Sequence, residues 1–217
     1  MQIVIGRGAE AILFEEKEEG KSKTIRIVKD RIEKKYRHKV LDEKLRFSRT
    51  RREAKVLEKL AKENFPCPIL INQSKDKISI SLIEGRQLKE VFDDDCEYHS
   101  KEIAKLVAKM HNLGIIHGDL TTSNMIFDED KINNSKNQEV HKHFLVDFGL
   151  SFFSESLEDK AVDIHLFDRA IDSRHYKNYQ RAMKVFLEEY SKHAEHGKNI
   201  VKRFQLVQMR GRNKAKY

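Results

Sequence analysis

Two prolines and nine glycines in 217 residues are too few for a long flexible linker. Nor does any stretch approach the roughly 18 uninterrupted apolar residues that a membrane span requires. The opening residues, MQIVIGRGAEA, put Gly6, Arg7 and Gly8 where a secretory signal needs an unbroken apolar run. Export is not expected. Cys67 and Cys96 lie far apart without a CxxC spacing, which suits a compartment where thiols stay reduced. A cytoplasmic chain with no membrane attachment is the resulting expectation.

What is present supports a globular fold, because 39% of the residues are apolar and twelve are phenylalanine, enough for one core or two small lobes. The charge is uneven. Residues 26–55 hold thirteen basic residues against five acidic ones, and residues 198–217 hold seven basic and no acidic ones, within a net charge of +8. Such a field attracts polyanions, with RNA the commonest candidate in a cytoplasm. No aromatic stacking cluster accompanies either segment, so a solvated basic face remains the other reading.

The start of the chain reads as paired strands: IVI before Gly6, AILFEE after Gly8, and TIRIVK after a second turn at EEGKSK. From Asp42 to about Glu63 the period becomes helical, with Val56, Leu57 and Leu60 on one stripe, until PCP at 66–68 ends it. A short strand pair is expected at 69–71 and 78–83. After Gly85 the character changes. Ser100 is a candidate N-cap for a helix carrying Ile103, Val107 and Met110, which Gly114 stops. Beyond a polar insert at 128–143, the chain from about Leu157 reads helical. The layout is a strand-rich lobe over residues 1–84, a helical lobe over 85–208 and a basic tail over 209–217.

A phosphoryl donor asks for a close backbone turn, a cation on its phosphates, ligands for magnesium and a carboxylate near the acceptor. Gly6 and Gly8 offer the turn, although ordinary hairpins use glycine too, and Glu10 beside them would repel phosphate. Lys29 offers the cation: Ile25, Ile27 and Lys29 share one face of a strand, so Ile27 can face an adenine where Lys29 faces phosphates. Glu53 precedes Val56, Leu57 and Leu60 by three, four and seven positions, which places it on the buried stripe. A carboxylate there needs a positive partner, and Lys29 is suitable, with Arg49 one turn earlier as the local alternative. Asn124 and Asp147 stand at the ends of two apolar runs and would face one opening if those runs pair, though Asp before Phe-Gly is also a turn former. Asp119 offers the acceptor-side carboxylate, and His117 reads as a packed loop residue. Taken in order, HxD with Asn five residues on, DFG, and an upstream Lys with an inward Glu match the protein-kinase signature set.

With GRGAEA at 6–11, VKDRIEKKYRHKVLD at 28–42, RREAKVL around Glu53, HGDLTTSN at 117–124, DFGLS at 147–151, DKAVDIHLFDRA at 159–170 and RGRNK in the tail, the chain resembles the small atypical kinase of the KEOPS complex, also called the p53-related protein kinase family. The resemblance covers nearly the whole chain. It implies an α+β, two-lobed minimal protein-kinase-like fold, with one main helix in the strand-rich lobe and no full activation segment. It further implies ATP and magnesium as cofactors, Lys29 on the donor phosphates paired with Glu53, Asp119 as the catalytic carboxylate, and Asn124 with Asp147 on the metal. Leu82, Ile83 and Glu84 would form the hinge against the adenine. The implied activity is serine/threonine phosphorylation and ATP hydrolysis supporting threonylcarbamoyladenosine formation on tRNA. The implied partners are the tRNA threonylcarbamoyl transferase subunit, a small regulatory subunit on the strand-rich lobe, and tRNA through the basic segments, in an archaeal-type free-standing form.

Departures from ordinary protein kinases qualify that expectation. Ala11 stands near the third glycine of the loop, Gly118 replaces the arginine before the catalytic Asp, and Thr121 replaces a lysine, so slow chemistry is expected. About a dozen residues are expected between Gly149 and the next helix, too few to seat a peptide. Two other classes stay open: a small-molecule phosphotransferase of the aminoglycoside and choline kinase type, and a nucleotide-binding module that no longer catalyses.

Overall fold

The computed structural model describes residues 2–8, 11–17, 25–130 and 142–214. Glu10, the turn at 18–23, most of the polar insert and residues 215–217 lie outside the described residues. The chain divides into two compact units, Met1–Glu84 and Gly85–Tyr217. No helix among the described residues is long and apolar enough to cross a membrane.

In the first unit, β1 (Gln2–Arg7), β2 (Ala11–Lys17), β3 (Ile25–Arg31), β4 (Leu70–Gln73) and β5 (Lys77–Ser81) form an antiparallel sheet in the order β1-β2-β3-β5-β4. The single long helix, α1 (Lys39–Lys62), buries Glu53, Val56, Leu57 and Leu60, the stripe that the helical period predicts. It starts three residues before the expected Asp42, which lies inside the helix and serves as a tether. Its carboxylate, wholly buried, accepts from Arg46 Nε at 2.7 Å and from the Lys34 amide at 3.3 Å. Arg46 reaches on to Asp76 at 2.7 Å. Ions thus pin the β3–α1 connection and the β4–β5 turn to one end of the helix. The Arg46 hydrogen bond is the largest influence on Asp42 and, despite burial, holds its carboxyl below the usual range.

In the second unit, β6 (Arg86–Gln87) leads into the short α2 (Leu88–Val91) and then α3 (Cys96–Asn112). Here the N-cap expectation is corrected: Asp95, not Ser100, caps α3, its side chain accepting from the Tyr98 amide, and Ser100 is buried inside the helix. The first turn escapes the apolar period because Glu97 and Tyr98 face outward while His99 and Ser100 face in. After Gly114, β7 (Ile115–Ile116) pairs with β10 (Phe152–Phe153), and β8 (Met125–Phe127) lies between β6 and β9 (His143–Leu145). The remaining helices are α4 (Leu157–Arg174), α5 (Tyr179–His193) and α6 (Gly197–Lys214), with α3 packed on α5 and α4 on α6. Residues 209–214, read from the sequence as a tail, continue α6. Phe92, Ile103, Met110, Phe167, Phe186 and Tyr190 form the centre of this unit.

Candidate active site

The candidate groups of the first unit meet on β3 and α1. Lys29 and Arg31 alternate onto one face of β3, and Glu53 rises from α1 to meet both. Lys29 Nζ lies 2.9 Å from Glu53 Oε1, and Arg31 Nη2 lies 2.5 Å from Glu53 Oε2. All three are buried, at 7%, 4% and 2% exposure, so the pairing is desolvated and not a loose surface contact. The Lys29–Glu53 pairing follows from two local periods, whereas Arg31 as a second cation was not anticipated. The same alternation that exposes Lys29 to Glu53 points to Arg31 two residues later. Ile27, buried on that face, pairs in register with Ile80. Gly6 lies inside β1 beside a register shift, and Gly8 donates its amide to the Ala11 carbonyl at 2.9 Å. Neither has the positive φ that would demand glycine. Leu82, Ile83 and Glu84 are the last residues of the first unit.

The second unit gathers Asp119, Asn124 and Asp147. Asn124 closes a single 3-10 turn, Thr122–Asn124, and its Nδ2 donates to both the Asp119 carbonyl, at 2.9 Å, and Asp119 Oδ2, at 2.7 Å. An ionised carboxylate only accepts, so the amide must present nitrogen to Asp119 and turn Oδ1 away. That oxygen has no hydrogen-bond donor among the described residues. The pairing of Met125 with Leu145 continues outward as the Val146 amide bonding the Asn124 carbonyl at 3.0 Å, which brings the residue before Asp147 against Asn124. Asp147 is exposed, sits at φ 61°, and accepts from the Gly149 amide at 3.2 Å. A positive φ is unusual for a side-chain-bearing residue and points to a functional constraint.

Magnesium binds through one or two carboxylates or carbonyl oxygens and leaves its other positions to water and phosphate. Asp147 with Asn124 Oδ1 fits that demand. Among the described residues, no three His, Cys, Asp or Glu side chains gather as a closed metal cage.

The loop carrying Asp119 is held from beneath by Asp163 on α4, whose role the sequence reading did not assign. Asp163 Oδ2 accepts from the His117 amide at 2.9 Å and from His111 Nε2 at 3.1 Å, and Oδ1 accepts from the Gly118 amide at 2.9 Å. Burial pushes this carboxyl up, yet the hydrogen bonds from the His111 ring and the His117 amide outweigh it and hold the carboxyl below its ordinary value. His111 Nδ1 continues to the Tyr190 hydroxyl at 2.7 Å. His117 is fully buried and acts as a strut: Nε2 donates to the Val146 carbonyl at 3.1 Å, leaving Nδ1 to accept from the Asp119 amide at 3.3 Å. One signal for Asp163 was available. It lies on the stripe of Ala161, Ile164 and Phe167, where a charge demands partners just as Glu53 does.

Gly118 explains a departure from ordinary kinases. Its φ is +78°, and a Cβ there would lie 2.6 Å from the Leu150 carbonyl oxygen, so no arginine fits. Ser151 Oγ donates to the His117 carbonyl at 2.8 Å, Phe152 and Phe153 pair with β7, and Ser156 caps α4. The expected dozen residues after Gly149 are in fact seven, residues 150–156, and they are tied down along their length.

The RIO domain family matches residues 11–133. A Bud32 subunit of the KEOPS complex from Pyrococcus abyssi is 36% identical over 195 residues, covering 86% of this chain and 83% of that protein. A probable bifunctional tRNA threonylcarbamoyladenosine biosynthesis protein from Methanosarcina mazei is 32% identical over 210 residues. That match spans 96% of this chain but only 35% of the bifunctional protein. In three dimensions the chain resembles a Rio2 kinase from Chaetomium thermophilum, solved as an ADP/Mg2+-phosphoaspartate complex, with a TM-score of 0.61 at 17% identity. This likeness covers 97% of this chain and 70% of that one, and it shows the fold. On the family match and on relatives more than 30% identical along most of their length, the chain belongs to the RIO-domain family and, within it, to the Bud32 type of KEOPS kinase.

Proposed function

We propose that the protein is an ATP-dependent serine/threonine kinase and ATPase that acts as a KEOPS subunit and supports threonylcarbamoyladenosine formation on tRNA. The observation that carries the chemistry is the double hydrogen bond from Asn124 to Asp119, which turns Asn124 Oδ1 away from that carboxylate. A metal-binding oxygen and a proton acceptor are thereby locked to one another before any substrate arrives, which is preorganisation. Asp119 orients the acceptor hydroxyl or water and takes its proton, while Asn124 and Asp147 hold the metal. Bound magnesium supplies charge neutralisation on the phosphates. Lys29, kept in place by Glu53, engages the donor phosphates.

The short segment after Gly149 supports a reading of the acceptor. Seven residues bonded to β7 and to the loop below leave no platform for a peptide, which favours water as the acceptor or a hydroxyl delivered by a partner protein. The relatives named as bifunctional tRNA-modifying proteins and KEOPS subunits support the transferase subunit of KEOPS as that partner. Exposed Lys39, Lys44, Arg51, Arg52 and Lys55 on α1 suit contact with tRNA phosphates. A small regulatory subunit would take the first unit, and the cytoplasm is the compartment we assign.

The test measures ATP hydrolysis and serine transfer with and without partner and tRNA, together with ATP affinity. Asp119→Ala should abolish turnover and spare ATP binding, and Asp147→Ala should weaken magnesium-dependent binding as well. Parent-level hydrolysis by either variant would remove these assignments. Strong turnover of choline, an aminoglycoside or a free sugar would favour a small-molecule phosphotransferase instead.

A further inference from the structure

Thr122, His175 and Asp93 form a hydrogen-bonded array for which the proposed chemistry has no use. Thr122 Oγ1 lies 3.2 Å from His175 Nε2, and His175 Nδ1 lies 2.8 Å from Asp93 Oδ2. Asn178 Nδ2 donates to Asp93 Oδ1 at 2.8 Å. Because an ionised carboxylate only accepts, Nδ1 carries a proton, and Nε2 is left to share a hydrogen bond with the Thr122 hydroxyl. The same order of hydroxyl, imidazole and carboxylate activates nucleophiles in hydrolases. Burial decides against that role here. Thr122 is 1% exposed and His175 2%, so no substrate reaches the hydroxyl.

The position of Thr122 gives the array its consequence. It lies three positions after Asp119 and opens the 3-10 turn whose last residue is Asn124. Upstream of Asp119, the loop amides of His117 and Gly118 are fixed to α4 through Asp163. Downstream, Thr122 is fixed to the residue just past the end of α4, since His175 follows Arg174, and from there to Asp93 between α2 and α3. The His175 ring is also seated against the buried Phe92 ring, 4.6 Å between centroids, which restricts its rotation. A side chain that filled this space without hydrogen bonds would pack as well but would not set the angle of the turn.

We infer that His175, oriented by Asp93, is a positioning residue that fixes the Thr122–Asn124 turn through the Thr122 hydroxyl and so keeps the Asn124 amide on Asp119. The inference rests on the reading of Asp119 and Asn124 as phosphoryl-transfer groups. Two readouts separate the two ideas: the magnesium dependence of ATP hydrolysis, and amide hydrogen exchange across residues 117–127. Thr122→Val keeps the shape and removes the hydroxyl, Thr122→Ser restores a hydroxyl, and Asp93→Asn weakens the far end from a half-exposed position. Thr122→Val should raise the magnesium KM about three- to tenfold, the worth of one net hydrogen bond, with a smaller change in kcat. Exchange over 117–127 should quicken in Thr122→Val and Asp93→Asn, stay slow in Thr122→Ser, and stay unchanged in α5. Parent-like magnesium dependence and exchange in Thr122→Val would overturn the inference, as would equal impairment of Thr122→Ser. If the parent protein neither binds nor hydrolyses ATP with partner and tRNA present, the functional reading fails, and the exchange comparison by itself decides whether the array holds the turn.

Discussion

Replacing Glu53 by glutamine changes almost no volume and removes the carboxylate that bridges two buried cations. Both contacts, at 2.9 Å to Lys29 and 2.5 Å to Arg31, lie in a site where none of the three side chains is more than 8% exposed. Water cannot take over for the lost charge. A glutamine can offer its oxygen to one cation but must turn its NH2 toward the other, so at least one ammonium or guanidinium is left facing a donor. Removing one partner from a buried ion pair costs about 3–5 kcal/mol, a large share of the roughly 5–15 kcal/mol that holds a domain together. Lys29→Met should cost less than Glu53→Gln, because Glu53 then keeps Arg31. Urea unfolding of the full chain, followed by circular dichroism with the m-value checked for constancy, measures the total. Amide exchange in α1 assigns the loss to the first unit. The effect should persist in high salt, since a desolvated pair is little screened. A loss below about 1 kcal/mol for Glu53→Gln, or a larger loss for Lys29→Met, would refute the claim that Glu53 neutralises two desolvated cations.

Asp163→Asn leaves at least one of three buried donors without an acceptor, so we expect about 1–3 kcal/mol of destabilisation and a clear fall in kcat with ATP affinity retained. Unchanged kcat would show that the loop needs no support from α4. Gly118→Arg, which restores the residue usual in protein kinases, should destabilise the chain by about 1–3 kcal/mol and abolish turnover, because of the positive φ and the Leu150 carbonyl. Recovery of ordinary kinase activity by this variant would be the contrary result. His143 is predicted to make the chain acid-sensitive: burial, aided by His99 and Lys142, pushes it down to about 3. Its folded value lies below its unfolded value of about 6.5, so the unfolded state takes up the proton first, and the contribution is full above pH 6.5 and lost as pH falls toward about 3. At pH 5 that amounts to about 2 kcal/mol relative to neutral pH, from about 1.4 kcal/mol per pH unit. Unfolding curves at pH 7 and pH 5 should therefore diverge more for the parent than for His143→Asn, and parallel behaviour would exclude this origin.

Short-range patterns made much of the site legible. The pairing of Lys29 with Glu53 came from combining a period of two on β3 with a period of 3.6 on α1, both local properties. The hairpin that sets Asn124 near Asp147 came from two apolar runs of equal kind flanking a polar insert. The same rules, carried further, reach Arg31 on the face of Lys29 and Asp163 on the apolar stripe of α4. The start of α3 was missed for a different reason. A cap is a single side-chain hydrogen bond, and Asp93, Asp94 and Asp95 offered three similar candidates, of which only the folded backbone selects Asp95.

What the sequence determined by itself is the set of groups and their order, because strand and helix periods and the HxD, Asn and DFG spacings act over a few residues. It also determined that buried charges on those periods would need partners. Only the tertiary structure decided which partners they found: Arg31 for Glu53, two loop amides and His111 for Asp163, and Asp93, 82 positions away in the chain, for His175. A donor in water is indifferent to distant acceptors, and it becomes selective only when packing removes the solvent and leaves one acceptor in reach.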